Sequence, residues 1–269
     1  MKLNKMLTSG VALMALGAMA ACSPAPAGQD IHDPYEETNR AIHGFNKSLD
    51  TAVLRPVGEA AAQLPEGLRM PVSNFAENTA LPGHIVNNAL QGDLGGVITN
   101  TMRFFLNTTV GVFGLADPAG ALGIEAVETD FGATLAKWGA VEGAYVELPV
   151  LGPSTERDAV GRVVDFVLNP LDGLAIDTDF ADGALSAYST GATVAELAID
   201  RGVYGGMIDS IYYESADSYA QLRNFYLQNR RFALGSTNQA SGFVDPYGDA
   251  DAAPAAAGGA YINPYEDFQ

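Results

Sequence analysis

Few residues in this 269-residue chain could do covalent or metal chemistry, and their spacing is as informative as their scarcity. Its three histidines, His32, His43 and His84, all precede the apolar centre of the chain. No G-x-S-x-G, H-E-x-x-H, phosphate-binding loop or G-x-G-x-x-G occurs, so hydrolytic, zinc-peptidase and nucleotide sites lack their usual signatures. Asp130-Phe131-Gly132 matches a kinase metal-binding tripeptide without the glycine-rich and catalytic loops that must accompany it. Asp177, Asp179 and Asp182 are spaced as in a calcium loop, but Tyr188 and Ser189 stand where the closing glutamate is needed. No cofactor, metal or catalytic residue is therefore expected, and the chain reads as a non-enzyme. One reactive group remains, the thiol of Cys22, which is the only cysteine. Lys2 and Lys5 precede an uncharged run from Met6 to Ala21 that ends Met19-Ala20-Ala21-Cys22, a lipobox. Residues 1–21 are thus expected to be a lipoprotein signal peptide, and Cys22 the lipidated N-terminus. Ser23 follows, where an aspartate would favour retention at the inner membrane.

Composition narrows the partners. Once Lys2 and Lys5 leave with the signal peptide, 12 basic residues face 32 acidic ones, a net charge of −20. Such a surface repels nucleic acid and gains nothing from anionic lipid head groups, so membrane attachment must come from the anchor and from apolar burial. With 48% hydrophobic residues a sizeable core is available.

The elements around this chemistry read as helices. A Pro/Ala/Gly linker over 22–32 leads to a folded domain expected at 33–235. Asp33-Pro34 opens a first helix with Ile42, Phe45, Leu49 and Val53 on one face, a face expected to pack on the core, and Arg55-Pro56 ends or bends it. Pro65, Pro71 and Pro82 are expected to divide the next segment into short helices, the last over Gly83 to Leu90. Asp93 to Thr108 is a firm helix with Leu94, Val97, Ile98, Met102 and Phe105 in one stripe. Thr129 to Trp138 is a short helix, Tyr145 to Leu151 is extended, and Thr155 begins another helix with Asp158 completing a capping box. Ala184 to Tyr213 gives one or two helices, with Thr193 and Glu196 a second possible capping pair, and Ser215 to Phe232 the last. Residues 236–269, rich in Ala, Gly, Pro and Asp, read as a disordered tail.

Between these helices lies the run on which the reading centres. From Val110 to Ile124 the only charge is Asp117, while Gly111, Gly114, Gly120, Gly123 and Asp117-Pro118 break both helix and strand periods. It is too short and interrupted to span a bilayer. An apolar glycine-rich hairpin remains, suited to lipid or an apolar ligand.

Several strings from Asp33 to Arg231 resemble the MlaA (VacJ) family. They include Asn39-Arg40, Phe45-Asn46, Leu54-Arg55-Pro56-Val57, Leu90-Gln91-Gly92, Arg103-Phe104-Phe105-Leu106-Asn107-Thr108, Asp130-Phe131-Gly132, Trp138-Gly139 and Gly152-Pro153-Ser154. The resemblance implies an all-α, ring- or disc-like lipoprotein in the inner leaflet of the outer membrane, with a central amphipathic channel. It implies removal of mislocalised phospholipid from the outer leaflet, delivery to a periplasmic lipid carrier, and association with a trimeric porin. By position it places Val110, Val112, Phe113, Gly114, Leu115, Asp117 and Leu122 on the channel hairpin, and Gly139, Gly143 and Tyr145 at a glycine-rich turn near the pore. Two other classes stay open, a membrane-anchored lipid-degrading enzyme and a porin-organising scaffold.

Overall fold

The computed structural model describes residues 31–168 and 182–235. Residues 1–30 with Cys22, residues 169–181 with Asp177 and Asp179, and residues 236–269 lie outside the described residues. The architecture is all-α with one small hairpin of strands: α1 (Glu36–Leu49), a π-turn (Asp50–Leu54), α2 (Arg55–Ala62), α3 (Glu66–Leu90), α4 (Leu94–Thr109), α5 (Pro118–Ala121), α6 (Phe131–Lys137), β1 (Tyr145–Leu148), β2 (Gly152–Thr155), α7 (Glu156–Leu168), α8 (Asp182–Val203), α9 (Gly205–Asp209), a second π-turn (Ser210–Glu214) and α10 (Ser218–Ala233).

Aspartates start many of these helices. Asp93, Asp117, Asp130 and Asp217 each accept the N–H three residues on, satisfying a donor the first turn leaves free. Thr155 caps α7 by accepting from the Asp158 N–H at 3.2 Å. The reciprocal half of that box does not form, because Arg230 and Tyr226 take the Asp158 carboxylate instead. Thr193 and Glu196 lie inside α8, not at its start.

Pro71 and Pro82 do not divide α3, which runs unbroken for 25 residues. An interior proline costs about 3 kcal/mol in an isolated helix; here α3 is held along its length by α4 and α8. Arg55-Pro56 behaves as its fixed φ suggests, with Pro56 in the first turn of α2 after the π-turn.

The contacts close a circuit. α1 runs through the π-turn into α2, α2 packs on α8, α8 on α3, α3 on α6, α6 on α7, α7 on β1, and β1 returns to α1. The last junction is specific. Asn39 Nδ2 donates to the Tyr145 carbonyl and its Oδ1 accepts from the Glu147 N–H. One heptad further, Asn46 does the same with the Leu148 carbonyl and the Val150 N–H. Two carboxamides seven residues apart lie on one helix face, so α1 reads the edge of β1 as a neighbouring strand would.

Within the circuit the apolar core is small. Phe131, Leu135 and Val164 form one cluster, Tyr145, Tyr219 and Leu227 another. Much of the interior is polar. α1 buries Asn39, His43 and Asn46, and α4 buries Gly96, Asn100, Arg103 and Asn107. The face of α1 expected to pack on the core turns Phe45 outward, with Val53 exposed in the π-turn beyond it, and the α4 stripe exposes Leu94, Ile98, Met102 and Phe105. Both amphipathic faces exist as read, but their direction is reversed. Side-chain amides that reach backbone partners in neighbouring elements take the inside, as Asn100 does with both the Val127 N–H and carbonyl.

Candidate functional site

The run from Val110 to Ile124 is not a hairpin of strands. It is a left-handed turn followed by the single helical turn α5. Val112 and Phe113 have φ of 54° and 59°, and Gly114 of 91°. A β-branched and an aromatic residue in this region cost roughly 1 to 3 kcal/mol each, so the surroundings must impose it. They do so through Asp117, which accepts from Asn107 Nδ2 at 2.8 Å, Arg103 Nη2 at 3.1 Å and the Gly120 N–H at 2.9 Å. Arg103 also donates to the Ile124 carbonyl, and Asn107 Oδ1 accepts the Ala119 N–H. Burial would raise the Asp117 carboxyl, but the Gly120 N–H, Asn107 and Arg103 outweigh it and hold it below the usual range. Gly114 lies where a Cβ would strike the Asn78 side chain. The outcome of this polar clamp is an apolar crest: Val110, Val112, Phe113, Leu115 and Leu122 are all exposed, Phe113 to 72%.

The glycine-rich turn is placed differently. Gly139 and Gly143 have φ of 91° and 76°. Tyr145, however, is 1% exposed, donates to Glu147 at 2.5 Å and packs edge-on against Tyr219 and Tyr226. It faces core and has no surface to offer a passage.

A second feature was not read from the sequence. Glu77 on α3, Glu128 before α6, and Glu196 and Asp200 on α8 lie close enough to act on one another. Burial and then the charges of Asp200, Glu77 and Glu128 push the Glu196 carboxyl up to about 7. Burial, Asp117, Glu128 and Asp200 raise Glu77, with Arg103 opposing, and burial raises Asp200. Glu77, Glu128 and Asp200 are nonetheless open to solvent. Their mutual influence makes them one acidic cluster, a wall of carboxylates contributed by α3, α8 and the segment before α6. Its members come from three distant segments, so no sequence spacing announces it. Among the described residues no His, Cys, Asp or Glu cluster could hold a metal.

This wall makes a prediction. The Glu196 carboxyl is neutral more readily in the folded chain than at its ordinary value of 4.5. Its stabilising contribution is full below that value and is lost as pH rises through about 7. Glu196 is half-buried, so the loss should be roughly 2 kcal/mol after allowance for solvent screening. Unfolding midpoints of Glu196→Gln should change less than those of the parent between about pH 5 and about pH 8. Parallel profiles for the two chains would remove the raised carboxyl.

One arrangement has the distances of a nucleophile, base and acid. His43 Nε2 lies 3.0 Å from Ser218 Oγ, and its Nδ1 lies 3.5 Å from Glu147 Oε1. The three residues are 71 to 175 positions apart, which is why the sequence did not show them. The surroundings oppose acyl chemistry. Ser218 opens α10 beside Asp217, which is held at about 2 by Arg40 and the Ala220 N–H. The N–H that could stabilise an oxyanion is spent on that carboxylate, and its charge repels one.

A helical domain that buries amides and charge and presents leucine, isoleucine and phenylalanine outward carries the kind of apolar surface that meets a membrane or an apolar partner. No helix among the described residues is long and apolar enough to cross a membrane. The chain belongs to the MlaA lipoprotein family, whose model matches residues 31–233. It is 32% identical to the intermembrane phospholipid transport system lipoprotein MlaA of Escherichia coli K12 over 227 residues, 81% of this chain and 86% of that one. The same figures hold for the protein of that name from Shigella flexneri. An uncharacterized protein of Rickettsia felis is 32% identical over 197 residues, 72% of this chain and 75% of its own. A solved structure reported as "Structural basis for maintenance of bacterial outer membrane lipid asymmetry" matches with a TM-score of 0.61 at 33% identity, covering 75% of this chain and 98% of that chain.

Proposed function

We propose that this chain is a non-catalytic conduit for phospholipid at the outer membrane. It takes mislocalised phospholipid from the outer leaflet and passes it to a periplasmic lipid carrier. The observation that carries this reading is the reversed amphipathicity of α1 and α4, together with the apolar crest at 110–122. Apolar surface that faces no protein suits acyl chains, and the polar, acidic wall behind it suits a hydrated head group. A passage of this kind needs no bond to be made or broken. The names of the E. coli and Shigella relatives and of the matched structure support the same reading. Cys22 is the lipid anchor that holds the chain on the periplasmic side of the inner leaflet, and a trimeric porin is the membrane partner.

The test is outer-leaflet phospholipid in a strain lacking the gene, read with a surface-acting phospholipase or acyltransferase. Phospholipid should rise, the parent gene should correct it, and Cys22→Ala should not. Ser218→Ala should correct it fully, because the His43–Ser218 contact is structural. Failure of Ser218→Ala, with fatty acid released by the purified parent, would instead establish the enzyme.

A further inference from the structure

Beside α6 lies a cavity of about 580 Å³ that neither the crest nor the clamp uses. Its walls come from the end of α3, the 127–130 segment, α6 and the end of α10. Volumes of 300 to 1,000 Å³ are typical of small-ligand sites. Its lining carries charges of both signs. Arg230 is spent, since it grips Asp130 with two bonds of 2.7 Å and Asp158 with two of 3.0 Å. Lys137 has no carboxylate partner among the described residues, which matters in a chain with 32 acidic side chains. Glu128 and Asp93 stand on the wall with it, and Asp93 uses one oxygen to cap α4. Gln91 adds an amide anchored through Thr129 and Thr134. The site thus offers one free cation and, apart from it, two carboxylates.

Next to the lining residue Lys137 in the chain stands Trp138, the only tryptophan. It follows Lys137, donates from Nε1 to the Leu90 carbonyl at 3.2 Å and leaves half its surface exposed. Leu90 and Leu94 are exposed beside it, the start of the outward α4 stripe. An indole with one bonded end and one bare face, next to bare leucines and a lysine, is the composition of a membrane–water boundary. The stripe runs on from Leu94 to Phe105, about 16 Å at 1.5 Å per residue, close to half of a 30 Å hydrocarbon core. Were α4 to stand along the bilayer normal, a cavity at that end of the stripe would lie at head-group depth.

We infer that this cavity binds the zwitterionic phosphoethanolamine head group of a phospholipid, with the phosphate on Lys137 and the ammonium on Glu128 and Asp93. This rests on the reading of the chain as a phospholipid conduit and adds head-group choice to it. A bare anion meets more carboxylate than free ammonium here, and a glycerol head group leaves Glu128 and Asp93 unanswered.

The test uses the mature lipidated chain in detergent, with Trp138 fluorescence as the signal. The probes are glycerophosphoethanolamine, glycerophosphoglycerol and inorganic phosphate, and vesicle binding of the Cys22→Ala chain, which lacks the acyl anchor, is measured alongside. Glycerophosphoethanolamine should bind at least 10-fold more tightly than either other probe, as expected for a charge-assisted contact. Lys137→Glu should lose this binding, Lys137→Arg should keep it, and Glu128→Gln should abolish the preference over glycerophosphoglycerol. Equal response to inorganic phosphate, or none to any probe, overturns the site. If vesicle binding persists in that case, only this inference falls; if it too is absent, the conduit reading falls with it.

Discussion

Replacing Arg201 with methionine should lower the unfolding free energy by about 3–5 kcal/mol, the cost of leaving a buried carboxylate without its partner. Arg201 donates to both oxygens of Asp50, at 2.7 and 2.9 Å, and to Asp209 at 2.6 Å. Asp50 is 4% exposed and, among the described residues, has only the Tyr213 hydroxyl, at 2.8 Å, as a further donor. Burial alone would raise its carboxyl; Arg201 and Tyr213 reverse that and hold it below the ordinary 3.8. In the parent this contribution is present above pH 3.8 and is lost as pH falls through the depressed value. Without Arg201, burial dominates and the carboxyl rises, so the penalty should shrink as pH approaches about 4. Arg201→Met with Asp50→Asn should recover much of the loss, because no charge is then buried unpaired. Denaturant unfolding of the Cys22→Ala chain at two pH values measures all three. Equal penalties for the single and double variants would show that Arg201 acts by packing alone. That outcome has a basis in the structure: the Arg201 stem abuts Gly58, where a Cβ would come within 2.8 Å of its Cγ, so α2 and α8 cross at close range.

The same ion pair shows what sequence can carry. Asp50 and Arg201 are 151 residues apart and belong to a turn and a helix that no local signal pairs. The helices themselves were legible from periodicity and caps: α4, α6 and α10 fall within three residues of their expected bounds. Periodicity gives a face, not its direction. The counter-signal was present on α4, where Asn100, Arg103 and Asn107 recur at spacings of three and four on the face opposite Ile98 and Phe105. Read with equal weight, that stripe of amides and charge would have competed for the interior. The unbroken α3 was not legible, because the penalty of Pro71 and Pro82 is local and the packing that outweighs it is not. Nor was the left-handed turn, since Val112 and Phe113 are poor residues for it and only the Asp117 clamp from α4 makes them adopt it.

The largest functional effect should come from reversing the outward stripe itself. Ile98 and Phe105 are 60% and 66% exposed and touch no core cluster, so glutamate at both positions leaves the folded domain intact. Their thermal unfolding should stay within about 0.5 kcal/mol of the parent, the usual range for surface substitutions. In lipid the same change removes two apolar side chains worth about 1.5–3 kcal/mol each when buried, and asks for two carboxylates in their place. With Cys22→Ala as background, so that no acyl anchor masks the result, vesicle partitioning should fall at least about 100-fold. An exposed apolar pair off the stripe, Val194 and Leu197 on α8, supplies the comparison. If the α4 stripe is the membrane face, its glutamates release the protein while retaining the fold. If partitioning is unchanged, the stripe faces a protein partner instead, and α4 is the surface on which that partner should be mapped.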